Sequence, residues 1–340
     1  MNIGYIFDDG FVLPAAVSIY SLLENNQHID ELHLYILDDG ISEDNKSMLI
    51  KMINGFYREV VFVRVKEVKE KLSKITKYNW NGSYSTYIRL MLNSIFPELN
   101  ERMMMIDADT IVVGRIDELA DFDLKGNSCA MALEAMPISY YKYSGLGLNR
   151  LINGGLLLVD LKRWREEEAE KKITDFLTNV RDKNMLTDED VLSNLFKNKF
   201  SVISPKFNYL TQYKLYTTKF FYRFFGWDEL SKAGAFYTYE DLADASNDPV
   251  ILHCIDSHTN RPWHKNNHHP YSKIFDDYLN MTPWQDADKN IKPMRAMAKF
   301  EYFLRNILPP SLSKLYYGIV LRLYYGIGAK IYYSSSRKEI

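Results

Sequence analysis

The chain has 340 residues, a formal net charge of −2, 46% hydrophobic and 25% charged residues. This is the composition of an ordinary globular protein with ample core, and its near-neutral charge excludes a global electrostatic pull toward nucleic acid. The two cysteines, Cys129 and Cys254, both lie in apolar runs, which points to buried thiols rather than a disulfide and to a reducing compartment.

The opening segment, Met1-Asn2-Ile3-Gly4-Tyr5-Ile6-Phe7-Asp8-Asp9, has neither a basic start nor an apolar stretch of signal-peptide kind. Ile3 to Phe7 reads as a first strand. Pro14 to Glu24 has helical periodicity, with Pro14 suited to a first turn. Leu32 to Leu37 is a second strand, stopped by Asp38-Asp39-Gly40. Ser42 then caps a helix with acids in its first turn. Val60 to Val65 is a third strand and Tyr84 to Leu92 a helix. Alternation of strand and helix implies βαβ units and a mostly parallel sheet.

Arg102 to Ile106 forms the central strand, a short apolar run bounded by charge. It runs into Asp107-Ala108-Asp109, and a second apolar run follows. Residues i and i+2 of a strand face one side, so both carboxylates are expected at one cleft, at the carboxyl end of the sheet. Two carboxylates so close repel unless something positive lies between them. A hard divalent cation, Mg²⁺ or Mn²⁺, would serve. The alternative is that one aspartate caps the next turn and the other is solvated.

Cys129 to Leu133 and Gly155 to Val159 are two further strands, and a charged helix is expected over Leu161 to Leu177. Thr187-Asp188-Glu189-Asp190 then begins another helix. Acids in a first turn complement the helix dipole, but three exceed what capping needs. Residues 205 to 247 read as aromatic and irregular, wrapped around a pocket. Val250 to Ile255 is a last strand carrying His253. Most histidines fall in this late region, as His253, His258, His264, His268 and His269, which favours metal or phosphate contact. Arg261-Pro262-Trp263 adds a fixed cation and a large ring.

From Ile291 onward the chain is basic and tyrosine-rich, divided by Pro309-Pro310. Cations mixed with repeated Tyr-Tyr suit a helix lying in a membrane interface, although a helical pair docked on the catalytic domain is the alternative. No apolar run reaches the ~18–20 residues of a membrane span. The expected organisation is a catalytic domain over 1–280 and a helical tail over 281–340.

Several stretches together resemble the retaining glycosyltransferases of family 8, which include bacterial galactosyl- and glucosyltransferases of surface polysaccharides. Asp107-Ala108-Asp109 resembles that family's DxD motif. Phe7-Asp8-Asp9-Gly10-Phe11 resembles its nucleotide loop, and Leu37 to Ser42 its second-strand signature. Thr86-Tyr87-Ile88-Arg89-Leu90, Ile152-Asn153-Gly154-Gly155 with the leucines that follow, Thr187 to Asp190, and His253 with Arg261-Pro262-Trp263 resemble further motifs, in the family's order. The resemblance covers roughly residues 1 to 275 and implies a GT-A fold, a Rossmann-like α/β domain with a mixed, mostly parallel sheet.

The resemblance also implies roles. Asp107, Asp109 and His253 would hold Mn²⁺ (or Mg²⁺) against the diphosphate of a UDP-sugar. Asp8 would accept from the uracil and Phe11 would stack on it. Arg89 would pair with the diphosphate or orient the aspartates, Arg261 would reach the β-phosphate, and Ala108 lies among the donor contacts. Asn153, Asp188 and Glu189 would line the transferred sugar, with Glu134 at its hydroxyls. The family often has an amide where Glu189 stands, and a carboxylate there would attack the anomeric carbon or only stabilise oxocarbenium charge; the second is favoured. The acceptor would be a surface glycan carried on a lipid, and the tail from 291 to 340 would hold the enzyme on the cytoplasmic membrane face. The sequence departs from the family pattern at Asp256-Ser257, where a glycine is usual, and at Gly10, where a ribose-contacting polar residue is usual.

Two rivals remain at this level. Asp107-Ala108-Asp109-Thr110-Ile111 also resembles the start of haloacid-dehalogenase-like phosphatases, with Asp107 as nucleophile, though that motif normally lies on a first strand. The other rival is an inactive donor-binding or membrane-docked partner. No GxxxxGK[ST] loop supports a nucleoside triphosphatase, and only the basic tail speaks for nucleic acid.

Overall fold

A computed structural model describes residues 1–76, 84–144, 149–179, 187–255, 260–293 and 296–328. Asp256, Ser257 and His258, and the basic and tyrosine residues beyond 328, therefore lie outside the described residues. The strands are β1 (Asn2–Phe7), β2 (His33–Asp38), β3 (Val60–Arg64), β4 (Arg102–Ile106), β5 (Thr110–Val112), β6 (Cys129–Leu133), β7 (Ile152–Asp160), β8 (Ser201–Val202), β9 (Tyr209–Leu210) and β10 (Ile251–His253). Seven form the main sheet in the order β3-β2-β1-β4-β7-β6-β8. All neighbours are parallel except β4 with β7 and β7 with β6. The fold is thus the expected mixed, mostly parallel α/β sheet flanked by helices. Its central strands are apolar in their middle stretches and buried on both faces there, as strands covered by helices must be.

The last strand departs from the expectation of one sheet. β10 pairs with β5 and β9 in a separate three-stranded sheet. Asp107 and Asp109 are accordingly not neighbours on one strand. Asp107 extends the β4–β7 ladder through its N–H to the Gly155 carbonyl, 3.0 Å. Asp109 sits in the turn by which the chain leaves the main sheet for the small one.

Two helices break where periodicity predicts continuity. Tyr84 to Leu92 is split into Ser85–Ile88 and Leu92–Ile95. Tyr87, Ile88, Leu90, Met91 and Leu92 are all buried, more than one helical stripe can cover, and the turn between aims Arg89 inward. The expected helix from Leu161 to Leu177 becomes Leu161–Glu166 and Ala169–Asn179, with Glu168 in the left-handed region at φ 52°. At about 100° per residue, an unbroken helix would set Leu161 and Trp164 nearly opposite Ile173 and Leu177; the break buries both pairs. Residues 205–247 also differ from expectation, being largely helical: Thr211–Tyr216, Lys219–Phe224, Trp227–Lys232 and Tyr239–Asn247. Their aromatic rings pack on one another around Tyr213 and Trp227. Both cysteines are free and buried.

The C-terminal helices are Ala296–Ile307 and Pro310–Leu323, separated by the two prolines. The second is docked through buried Tyr317, Gly318 and Leu321. A Cβ on Gly318 would stand 2.7 Å from the Phe221 ring, so this glycine allows the close approach.

Trp164 fixes the helix Leu161–Glu166 to the helix Asp188–Phe196 by stacking on Phe196, with ring centroids 5.0 Å apart and planes 9° from parallel. Trp164→Ala should lower stability by about 3–5 kcal/mol, as for other fully buried large side chains. Trp164→Phe should cost less, because the buried indole nitrogen has no hydrogen-bond partner among the described residues. Equilibrium denaturation checks both.

Candidate active site

Strand order reverses between β1 and β4, the place where open α/β sheets bind ligands. The carboxyl ends of these two strands carry Asp8 and Asp107. β7 is antiparallel to β4, so its beginning, Asn153 and Gly154, reaches the same edge. β6 is antiparallel to β7 and brings Glu134 there just past its end. A cleft of about 480 Å³ lies along this edge, lined by Asp8, Phe11, Arg89, Asp107, Ala108, Asp109, Glu134, Asn153, Asp188, Glu189, His253 and Arg261. The twelve residues to which the resemblance gives roles thus line one cavity, whereas of the other late histidines His264, His268 and His269 do not line it.

The small sheet supplies the rest of the geometry. His253 ends β10 opposite Thr110, and the Cys254 N–H donates to the Asp109 carbonyl, 2.9 Å. His253 Nε2 lies 3.2 Å from Asp109 Oδ1 and 3.8 Å from Asp107 Oδ2. The other oxygens face guanidinium groups: Asp107 Oδ1 is 2.5 Å from Arg89 Nη2, and Asp109 Oδ2 is 2.5 Å from Arg261 Nη1. Burial alone would raise the Asp109 pKa, but His253 and Arg261 outweigh it and hold the carboxylate well below its usual range. Burial would likewise lower His253, and the two aspartates raise it instead.

One carboxylate oxygen from each aspartate and one imidazole nitrogen lie within 4.8 Å of one another. The second ring nitrogen shows that this nitrogen is presented to the cluster. Asn208 donates its amide N–H to Asn153 Oδ1, 2.7 Å, so its oxygen faces His253 Nδ1, 2.9 Å. Nδ1 therefore carries a proton and Nε2 is the nitrogen turned to the aspartates: its N–H donates to Asp109, and on loss of that proton its lone pair would serve a cation held between the two carboxylates. Mixed carboxylate and imidazole ligation fits a divalent metal ion. Gly155 makes the arrangement possible: a Cβ there would stand 2.3 Å from His253 Nδ1 and 2.7 Å from Asn208 Oδ1.

The three acids at 188–190 divide their work. Asp190 accepts from the Thr187 N–H, 3.0 Å, and Thr187 Oγ1 accepts from the Asp190 N–H, 3.1 Å, closing a capping box. Asp188 and Glu189 are left to face the cleft. Asp188 Oδ2 is 3.4 Å from Arg89 Nε, and Glu189 Oε1 accepts from the Gly154 N–H, 2.8 Å. Arg89 also donates to the Gly154 carbonyl. Burial raises Asp188 to about 6, with Arg89 opposing and Asp107 adding. Burial, then the charges of Glu134 and Asp188, push Glu189 well above the usual carboxyl range. Glu134, also raised by burial, accepts from Asn153 Nδ2, 2.6 Å.

At the opposite end Asp8 is exposed, and Phe11 is held edge-on by Trp263, 5.4 Å between centroids. Asp39 receives Ser85 Oγ at 2.6 Å and Lys69 Nζ at 2.5 Å. It thereby ties the second-strand loop to the helix that leads to Arg89.

The sequence matches the profile of glycosyl transferase family 8 over residues 2–267. The chain belongs to this family. A lipopolysaccharide 1,3-galactosyltransferase of Salmonella typhimurium is 24% identical over 294 residues, 83% of this chain and 79% of that one. A lipopolysaccharide 1,2-glucosyltransferase of Escherichia coli K12 is 25% identical over 290 residues, 84% and 79%. Among solved structures, the galactosyltransferase LgtC in complex with donor and acceptor sugar analogues aligns with a TM-score of 0.65. It is 21% identical, covering 84% of this chain and 99% of that one. Family 8 membership makes the chain a glycosyltransferase, with a nucleotide-sugar donor and a carbohydrate acceptor. The phosphatase rival expects its nucleophile on the first strand, whereas Asp107 follows the fourth.

Sequence reasoning missed Asn208, Gln212, Met136 and Tyr325. Asn208 stands in no recognisable pattern, and only the pairing of β9 with β10 brings it to His253.

Asn208→Ala should leave the fold intact and weaken divalent-metal binding by about 10–100-fold, as loss of an orienting partner does; metal titration by calorimetry checks this. Glu189→Gln should flatten the pH dependence of stability. A carboxyl with a raised folded-state pKa contributes stability fully present below its ordinary value of 4.5 and lost as pH rises through the raised one. The wild-type melting temperature should therefore fall more steeply than the variant's from mildly acidic to neutral pH, measured in chelator.

Proposed function

We propose that the chain transfers a hexose, glucose or galactose, from a UDP-sugar to a hydroxyl of a surface glycan, with retention and with Mn²⁺ (or Mg²⁺). One observation carries this reading: the carboxylate–imidazole cluster stands midway along the cleft, between Asp8 with Phe11 on one side and Asn153, Asp188 and Glu189 on the other. That order matches nucleoside, diphosphate and sugar in a nucleotide-sugar.

In this reading Phe11, braced by Trp263, stacks on the uracil and Asp8 accepts from it. Asp107, Asp109 and His253 hold the cation, which when bound supplies positive charge for the departing diphosphate. Arg261 leaves Asp109 for the β-phosphate, a guanidinium fork suited to phosphate oxygens. Arg89 steadies Asp107 and Asp188. Asn153, fixed by Glu134 and Asn208, reads sugar hydroxyls with Glu134. Burial and the charges of Glu134 and Asp188 favour the neutral form of Glu189, and in that form it resembles the family's usual amide. A neutral carboxyl is a poor nucleophile. This supports same-face transfer, in which oxygen lone pairs of Asp188 and Glu189 face the developing oxocarbenium charge.

We also propose that the tail lies on an anionic membrane surface. Phe300, Phe303, Ile307, Leu323 and Tyr324 are more than half exposed, and so is Phe220, which stacks on Phe224 beside Arg223 and Lys219, with Arg322 of the tail over the Phe224 ring. No helix among the described residues is long and apolar enough to cross a membrane, so contact would be interfacial. In this reading the enzyme is peripheral on the cytoplasmic membrane face and its acceptor is lipid-linked.

UDP release from a panel of UDP-sugars tests the donor and metal. One sugar should be hydrolysed only with Mn²⁺ (or Mg²⁺), and Asp109→Asn should abolish the release; metal-independent release would overturn the reading. Deletion from Pro309 onward, which removes Leu323 and Tyr324 and the basic residues after them, should weaken binding to anionic vesicles in a flotation assay, and unchanged flotation would sink the membrane proposal.

A further inference from the structure

The C-terminal segment does more than dock on the aromatic helices. Past the helix Pro310–Leu323 it continues as a wide turn, Tyr324–Gly328, and Tyr325 from this turn lines the cleft. Tyr325 is half-buried. Its ring meets Tyr140 edge-on, with centroids 6.3 Å apart and planes 80° from parallel. The Tyr140 hydroxyl is 3.4 Å from Asp190 Oδ1, on the helix that carries Asp188 and Glu189. Gly326 lies against Ser139, where a Cβ would stand 3.3 Å from the serine side chain. Arg322 lies over the Phe224 ring, 4.7 Å from its centroid. The turn is thus pinned on both sides.

Position along the sheet edge says which end of the cleft this is. From β1 through β4 and β7 to β6 come Asp8, the carboxylate cluster, Asn153 and Glu134. Met136 lies just beyond Glu134, and the helix bearing Tyr140 begins at Ile138. Tyr325 therefore closes the end past the sugar-facing residues, opposite Asp8 and Phe11. Gln212 lines the same cleft and comes from the helix Thr211–Tyr216, against which the C-terminal helix packs. Its Oε1 is buried and has no hydrogen-bond partner among the described residues. An unsatisfied buried acceptor is a cost that turning the side chain toward the cleft, to a ligand donor, would relieve, and an aromatic ring beside convergent polar groups is how pockets grip small polar molecules.

We propose that Tyr325 and Gln212 form the acceptor subsite: the C-terminal turn supplies an aromatic wall for the acceptor sugar, and Gln212, on turning its Oε1 from the wall into the cleft, accepts from one of its hydroxyls. This rests on the donor orientation proposed above. It makes the tail part of the active site, whichever surface its outer face meets. Tyr325 also shields the sugar end of the cleft from water before the acceptor arrives.

The test uses full-length protein, with Tyr325→Ala, Tyr325→Phe and Gln212→Ala, and melting temperatures to confirm folding. The probes are UDP-glucose and UDP-galactose, without acceptor and then with octyl β-D-glucoside, octyl β-D-galactoside or lactose. Tyr325→Ala should raise hydrolysis by water several-fold at unchanged donor KM. It should lower kcat/KM for transfer to the glycoside that serves by about tenfold or more. Tyr325→Phe should restore both, and Gln212→Ala should raise acceptor KM while leaving donor KM unchanged. Unchanged hydrolysis in Tyr325→Ala, or a raised donor KM in either alanine variant, would overturn the assignment. Absence of UDP release from wild-type protein with every donor would instead strike the donor reading on which it rests.

Discussion

Two carboxylates at the tip of a buried sheet cannot stand alone, and the surrounding structure answers that constraint. Asp107 and Asp109 each give one oxygen to an arginine and turn the other toward His253. Because Arg89 and His253 are buried and the two aspartates only partly exposed, these charges act at short range with reduced screening. Removing any one cation leaves a carboxylate that must find another partner or take up a proton. The break between Ile88 and Leu92 directs Arg89 inward, the small sheet delivers His253, and Gly155 leaves room for the imidazole. Each is a backbone feature whose side-chain consequence appears at the same point.

The main sheet sorts the chemistry by strand. Parallel β1 and β4 present their carboxyl ends, while antiparallel β7 presents its beginning, so acidic groups and an amide meet along one edge. Beyond them the carboxyls grow more buried and more readily protonated, with Asp188, Glu189 and Glu134 all shifted upward. The cleft thus passes from an exposed Asp8, through a charge-balanced cluster, into a region that favours neutral acids. Such a gradient suits a ligand that is charged in its middle and uncharged at one end.

Much of this was legible from residues. The strand–helix alternation gave the α/β class because apolar runs of strand length and amphipathic helices bury differently. The aspartate pair stood out because it ends such a run. What stayed hidden has physical reasons. Periodicity describes one element at a time, so it could not see that β5, β9 and β10 leave the main sheet together, or that Asn208 would meet His253. The pattern at 187–190 predicted a cap but not which acid would make it; that depended on Asp190 reaching back to Thr187 while its neighbours faced inward. The aromatic stretch at 205–247 looked irregular because its rings bury on several sides at once. The tail's basic and tyrosine-rich character was plain, but nothing in it announced that Tyr325 would return to the cleft.

The small sheet has one more consequence. The separation of Asp109 from His253 is fixed by ladder hydrogen bonds between β5 and β10, and that of His253 from Asn208 by the pairing of β10 with β9. Spacing in the cluster is therefore a property of strand register, independent of which side chains occupy it. Donor atoms can be exchanged at these positions without moving the frame, whereas a one-residue slip would destroy the cluster with every side chain still present. Drift in ion preference is thereby open to single substitutions, while insertions or deletions between Thr110 and Val112 are closed.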